Sequence, residues 1–280
     1  MKKLGLLLLL GLYFISGFAQ GQADIIVSYD EKEWNYKKDT VINQTMTLLL
    51  NKNISKYFNE VSQWTDSLSS TPEGEKQLAE IIMAQCVTTR PDGSIVVDYT
   101  KGPVKNIYTY IVTDIEKGEL THYGKWGTEK RFYKEPVEEM TWEIGDSTKN
   151  ILGYECIKAE TDYHGRHWEA WFTPEIPVAF GPWKLRGLPG LILNASAGKG
   201  FEFSASGIQA SDRIITPIFN PKKYSKTERK KALADEEYYQ NNRQAIISAE
   251  FGGNVQFSSG FSDGPKYDRK KYSLEPDYKE

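Results

Sequence analysis

The chain has 280 residues, with 35 Lys and Arg against 38 Asp and Glu and a net charge of −3. That balance lacks the basic footprint of a nucleic-acid-binding protein, so no nucleic-acid partner is expected. Its 7 Trp, 17 Tyr and 12 Phe suit pleated, half-buried surfaces and tilt the reading toward strands.

The first twenty residues read MKKLGLLLLLGLYFISGFAQ. Lys2 and Lys3 make a charged n-region and Leu4 to Ile15 an apolar h-region, while Gly17 and Ala19 place small residues where signal peptidase reads them. Residues 1–19 are therefore expected to be a cleavable signal peptide. The mature protein is expected in the periplasm, elsewhere in the cell envelope, or secreted. The apolar run is short for a bilayer span and no second one follows, so no transmembrane segment is expected after cleavage. No Cys follows the h-region, which argues against a lipoprotein.

"ADIIVSYD" reads as a first strand, and "TMTLLLNKNISKYF" as two strands around an Asn-Lys-Asn turn. In "SSTPEGEKQLAEIIMAQC", Thr71 can cap a helix with Pro72 in its first turn. Leu78, Ile81 and Ile82 then share one face, which is expected to pack on a sheet. From Gly93 to about Gly207, eight short aromatic and β-branched runs alternate with Gly, Pro, Asn or Asp, the spacing of an antiparallel meander. The clearest hairpin is Tyr154–Phe172, turning at Asp162-Tyr163-His164-Gly165, with Trp168, Ala170 and Phe172 on one face and His167, Glu169 and Trp171 on the other. Beyond Pro217, Ser225 and Glu228 stand at capping-box spacing before a charged helix. The final "SDGPKYDRKKYSLEPDYKE" reads as a polar tail.

The expected fold class is mainly β (β-rich α+β): a curved antiparallel, half-barrel-like sheet with one packed helix and a C-terminal helical extension. The expected division is residues 20–216 for the β-rich domain, 217–258 for the charged helical extension and 259–280 for a mobile tail.

In Leu188-Pro189-Gly190-Leu191, Pro at the second turn position and Gly at the third follow the type II recipe, in which Gly190 takes a positive φ. A structural turn is the expected role, with Trp183 at the mouth of a pocket as the alternative. Gly187 to Ile192 spell GLPGLI, and "GYECIKAETDYHGRHWEAWFTPEIPVAFGPWKLRGLPGLIL" resembles the signature of the GLPGLI family of exported bacterial proteins. The resemblance rests on Cys156, Gly181, Pro182, Gly187, Leu188, Pro189, Gly190, Leu191 and Ile192, within Trp142 to Leu193. It implies a β-rich envelope protein, sometimes associated with outer-membrane receptors, and it supplies no catalytic residues.

Cys86 and Cys156 fit either one disulfide in an oxidising compartment or two buried thiols. His164 and His167, with Glu169 near and His122 elsewhere, are the candidate metal ligands, but strand geometry points His167 and Glu169 one way and leaves His164 in a turn. No metal and no cofactor is therefore expected. The sequence holds no His-Glu-x-x-His helix, phosphate loop or dinucleotide fingerprint, so no catalytic residue is assigned and no enzyme is expected. Trp171 and Trp183 are the candidate binding aromatics, toward an envelope or outer-membrane protein partner or an apolar ligand.

Overall fold

The computed structural model describes residues 21–35, 38–103, 105–216, 218–250, 252 and 266–279. The expected signal peptide lies outside the described residues. The first strands are β1 (Ile25–Asn35), β2 (Thr40–Leu50) and β3 (Ile54–Phe58). Helices α1 (Glu60–Leu68) and α2 (Pro72–Cys86) follow, then a small hairpin of β4 (Val87–Thr89) and β5 (Ile95–Val97). The meander continues through β6 (Tyr110–Asp114), β7 (Glu119–Trp126), β8 (Glu129–Pro136), β9 (Glu143–Ile151), β10 (Tyr154–Tyr163), β11 (Arg166–Thr173), β12 (Leu191–Ser196) and β13 (Glu202–Ala210). The remaining described elements are β14 (Ser225–Lys226), α3 (Arg229–Asn241), α4 (Arg243–Glu250) and α5 (Arg269–Tyr272). No helix among the described residues is long and apolar enough to cross a membrane.

Twelve strands form one curved sheet in the order β14-β8-β7-β6-β3-β2-β1-β13-β12-β11-β10-β9, antiparallel except at the short β14–β8 edge. The sheet does not close into a barrel. Register shifts at Ser28/Tyr29, Ile157/Ala159 and Trp171/Phe172 are the bulges that bend it. Its β9 edge, EIGDSTKNI, is polar and exposed, which protects an open edge from pairing with other chains.

Local sequence explains much of this. Leu48-Leu49-Leu50 is a continuous apolar run because β2 is covered on both faces: Leu48 and Leu50 join the large core, Leu49 the smaller one. The Tyr154–Phe172 hairpin turns on His164 and Gly165, at φ 51° and 76°, the two-residue turn that matches strand twist. Trp168, Ala170 and Phe172 are buried on the core face, where Trp168 stacks on Phe203 at 5.7 Å. Thr71 caps α2 by accepting the Gly74 N–H at 3.1 Å.

Several expectations need correction. Helix α2 packs on α1 and the β4–β5 hairpin rather than on the large sheet, because Gly74 lets the helix start close against the Leu68 carbonyl. Ser225 sits in β14 and caps nothing; α3 starts after Glu228 without a side-chain cap. Gly190 does not adopt positive φ; Gly187 does, at 91°. A Cβ on Gly190 would lie 2.1 Å from the Thr173 carbonyl oxygen, so close backbone approach requires this glycine. Residues 266–279 are no loose tail: Glu275 and Tyr278 are 2% and 3% exposed. Cys86 and Cys156 are both free and buried.

Candidate functional site: the concave cavity

The alternation of β1 sends Val27, Tyr29 and Glu31 to the buried side of the sheet, with Glu33 next in the same row. An apolar core thus gives way to two carboxyls along one strand. Glu31 is 4% exposed, receives a hydrogen bond from the Tyr57 hydroxyl at 2.8 Å, and stands opposite Gln44 of β2. Glu31 and Glu33 are two residues apart on β1 and so project toward the same side of the sheet. Burial, with the neighbouring carboxyl adding to it for Glu31, lifts Glu31 to about 8 and Glu33 to about 7.

Glu33 and Gln44 open onto a cavity of about 470 Å³ whose walls include His122, Trp126, Trp183 and Tyr267. A second cavity of about 270 Å³ shares Glu33, Glu236, Gln240, Tyr267 and Tyr272 with it. The sheet forms the floor. Helix α3 and the segment around α5 form the far wall. Trp183 is held at φ 55°, an uncommon conformation for a bulky residue, while its ring stacks against Phe203 at 6.5 Å and packs 5.5 Å from Trp168.

An ion network fixes that wall. Lys184, next to Trp183, places Nζ 2.5 Å from Glu135 and 2.8 Å from Glu275, and donates to the Tyr133 hydroxyl at 3.1 Å. Arg229 of α3 pairs with Glu275 at 3.0 Å and Asp277 at 2.8 Å. Burial alone would raise Glu275, but Lys184 overrides it and the carboxyl is held down at about 2. His122 is fully enclosed, with Nδ1 2.8 Å from the Tyr133 hydroxyl, and burial brings it down to about 3, so it stays neutral.

The structure separates the expected metal ligands. His164 joins the network, its Nδ1 3.3 Å from Asp277, and one ligand atom each of Glu135, His164 and Glu275 lie within 4.8 Å of one another. Lys184 and Arg229 already neutralise those carboxylates, so the arrangement works as an ion-pair network rather than a ligand set. His167 lies on the outer face, exposed, beside Asp162 at 2.9 Å. Trp171 is also on that face: Lys149 Nζ sits 4.1 Å from its ring centre, and its indole N–H donates to Glu169. Of the two candidate aromatics, only Trp183 lines the cavity.

The GLPGLI-region residues have structural places. Gly181 lets Ile192 approach closely, Pro182 accepts the Leu185 N–H, and the Gly187 N–H reaches the Ala179 carbonyl. Leu188, Leu191 and Ile192 are core residues, and burial raises the Cys156 thiol to about 11. Sequence reasoning missed Glu31, Glu33 and Gln44. The signal was present in "SYDEKEW", where a carboxyl repeats every second residue on a strand that begins with buried Val27 and Tyr29. The sequence also contains one Gly-x-Ser-x-Gly string, Gly260 to Gly264, which lies outside the described residues.

Residues 126–235 match the family model described as N-glycanase peptide, N-terminal domain. This stretch contains the whole Trp142–Leu193 segment and overturns the expected GLPGLI membership; the hexapeptide reflects local packing. Two solved structures of PNGF-II, in C2 and P21 space groups, resemble the chain at 15% and 14% identity, with TM-scores of 0.47 and 0.49. They cover 78% and 76% of this chain, and the chain spans about a third (33%) of their length. No curated protein matches.

Proposed function

We propose that the chain is an exported, non-catalytic binding protein that receives a glycan in the concave cavity. The observation that carries this reading is the cavity wall itself. Trp126, Trp183 and Tyr267 line it with aromatic surface suited to the apolar parts of sugar rings, and Glu33 and Gln44 line it with hydrogen-bonding groups for hydroxyls. The family model matched over residues 126–235 carries the name of an N-glycanase, which supports a glycan as the ligand class. Export is supported by the n-region and h-region of residues 1–19.

The non-catalytic reading is supported by carboxyl placement. Glu135, Glu275 and Asp277 are already engaged in ion pairs with Lys184 and Arg229.

Isothermal titration with oligosaccharides released from glycoproteins tests the proposal. Saturable binding that weakens about tenfold or more in Gln44→Ala, a loss of about 1.4 kcal/mol, is expected. Absence of binding across such a panel, or release of free sugar or peptide from a glycopeptide, would contradict it.

A further inference from the structure

A further cleft is separate from the two concave cavities and does not depend on them. It is about 250 Å³ and opens between α1, α2, the β7–β8 hairpin and the turn before β14. Lys105, Lys130 and Lys223 line it against Asp66 and Glu75. Lys105, Lys125 and Lys130 place their ammonium groups 4.9, 5.5 and 5.8 Å from the centre of the Tyr108 ring. Lys125 and Lys130 are direct cross-strand partners, an arrangement that like charges disfavour. Lys130 and Lys223 line the cleft, and among the described residues neither they nor Lys125 forms an ion pair.

Two carboxylates also line the cleft. Asp66 is already neutralised by Lys105 and accepts the Tyr110 hydroxyl at 2.6 Å. Glu75 stands exposed on the first turn of α2. A second, separate observation points to a missing partner: Tyr224, 7% exposed and part of the cleft wall, has a buried hydroxyl without a hydrogen-bond partner.

We propose that this cleft binds a phosphate or sulfate group carried by a small molecule. Lys130 and Lys223 supply charge-assisted contacts from two sides, Lys125 adds positive potential behind Tyr108, and the Tyr224 hydroxyl gains an acceptor. At about 250 Å³ the cleft has room for the anionic group and part of the molecule that carries it.

Titration calorimetry of the full chain with inorganic phosphate, inorganic sulfate, glucose 6-phosphate and glucose tests this. Saturable binding of glucose 6-phosphate and at least one inorganic anion, with none of glucose, is expected. Lys130→Gln with Lys223→Gln should weaken that binding about tenfold or more. In anion-free buffer, Lys130→Gln should leave the melting temperature unchanged or raise it, since it removes repulsion with Lys125, and the stabilisation by added phosphate should disappear. Equal affinity in wild type and variant overturns the proposal. So does binding confined to phosphatidylglycerol vesicles with no free phosphate ester bound.

Discussion

At the scale of single residues, burial and close approach set the energetics. Lys184 has a fully buried side chain and serves Glu135, Glu275 and Tyr133 at once. Lys184→Met leaves Glu135 and Glu275 to share Arg229 as their cation, and a loss of about 3 kcal/mol is expected in denaturant unfolding. The double replacement Lys184→Met with Glu275→Gln should recover part of it, because one buried carboxylate fewer then competes for Arg229. Gly190→Ala should cost about 3 kcal/mol, the upper end for overpacking, since its Cβ meets the Thr173–Pro174 backbone on both atoms of a peptide that has nowhere to move. An unchanged melting temperature in Gly190→Ala would refute the close-approach reading.

The Glu31–Glu33 pair predicts a pH dependence of definite sign. Both groups have folded pKa values above the ordinary carboxyl value of 4.5, so between that value and about 8 the folded state holds more protons than the unfolded one. Their contribution to stability is complete below about pH 4.5 and is lost as pH rises through about 7 to 8. Thermal melts between pH 5 and 8.5 should show a fall that Glu33→Gln flattens; identical profiles for both proteins would contradict the raised Glu33 carboxyl. Glu275 works in the opposite direction, its stabilisation fading as pH falls below about 4.5 toward about 2.

At the scale of elements, the C-terminal segment is what completes the cavity. Glu275 and Asp277 bring two carboxylates to Lys184 and Arg229, and Arg166 donates to the Ser273 carbonyl at 2.9 Å. Ending the chain after Glu250 should strand Lys184 against Glu135 alone and lower the melting temperature by several degrees, measured by calorimetry. Much of the strand pattern is legible in the sequence: β1, the β2–β3 hairpin, the β10–β11 hairpin and the start of α2 all follow from alternation, turn residues and caps. Strand β7, ELTHYGKW, is harder to read because both of its faces are covered, so Thr121 and His122 are buried in sequence. Helix α1 was signalled only by Asn59, which accepts the Ser62 N–H at 3.0 Å. The docking of the last segment is illegible locally, since "SLEPDYK" is polar and its cations lie in distant strands and helices.

At the scale of the whole molecule, an open twelve-stranded sheet bent by three bulges leaves a concave face too broad for its own side chains to fill. Trp168, Trp183 and Phe203 stack over the deeper part, and the remaining hollow lies under α3 and the C-terminal segment. The sequence signalled the aromatic richness of this face but not which rings line the hollow, because that depends on the sheet's curvature. Trp171, one residue before a bulge, ends on the outer face.

Indole N–H signals in a proton–nitrogen NMR spectrum, recorded while glycoprotein-derived oligosaccharide is added, test the concave site most directly. Trp126 and Trp183 should shift together and saturably, while Trp171 stays in place. Spectra in which no indole moves, or in which Trp171 alone responds, would contradict a glycan site inside the curved sheet.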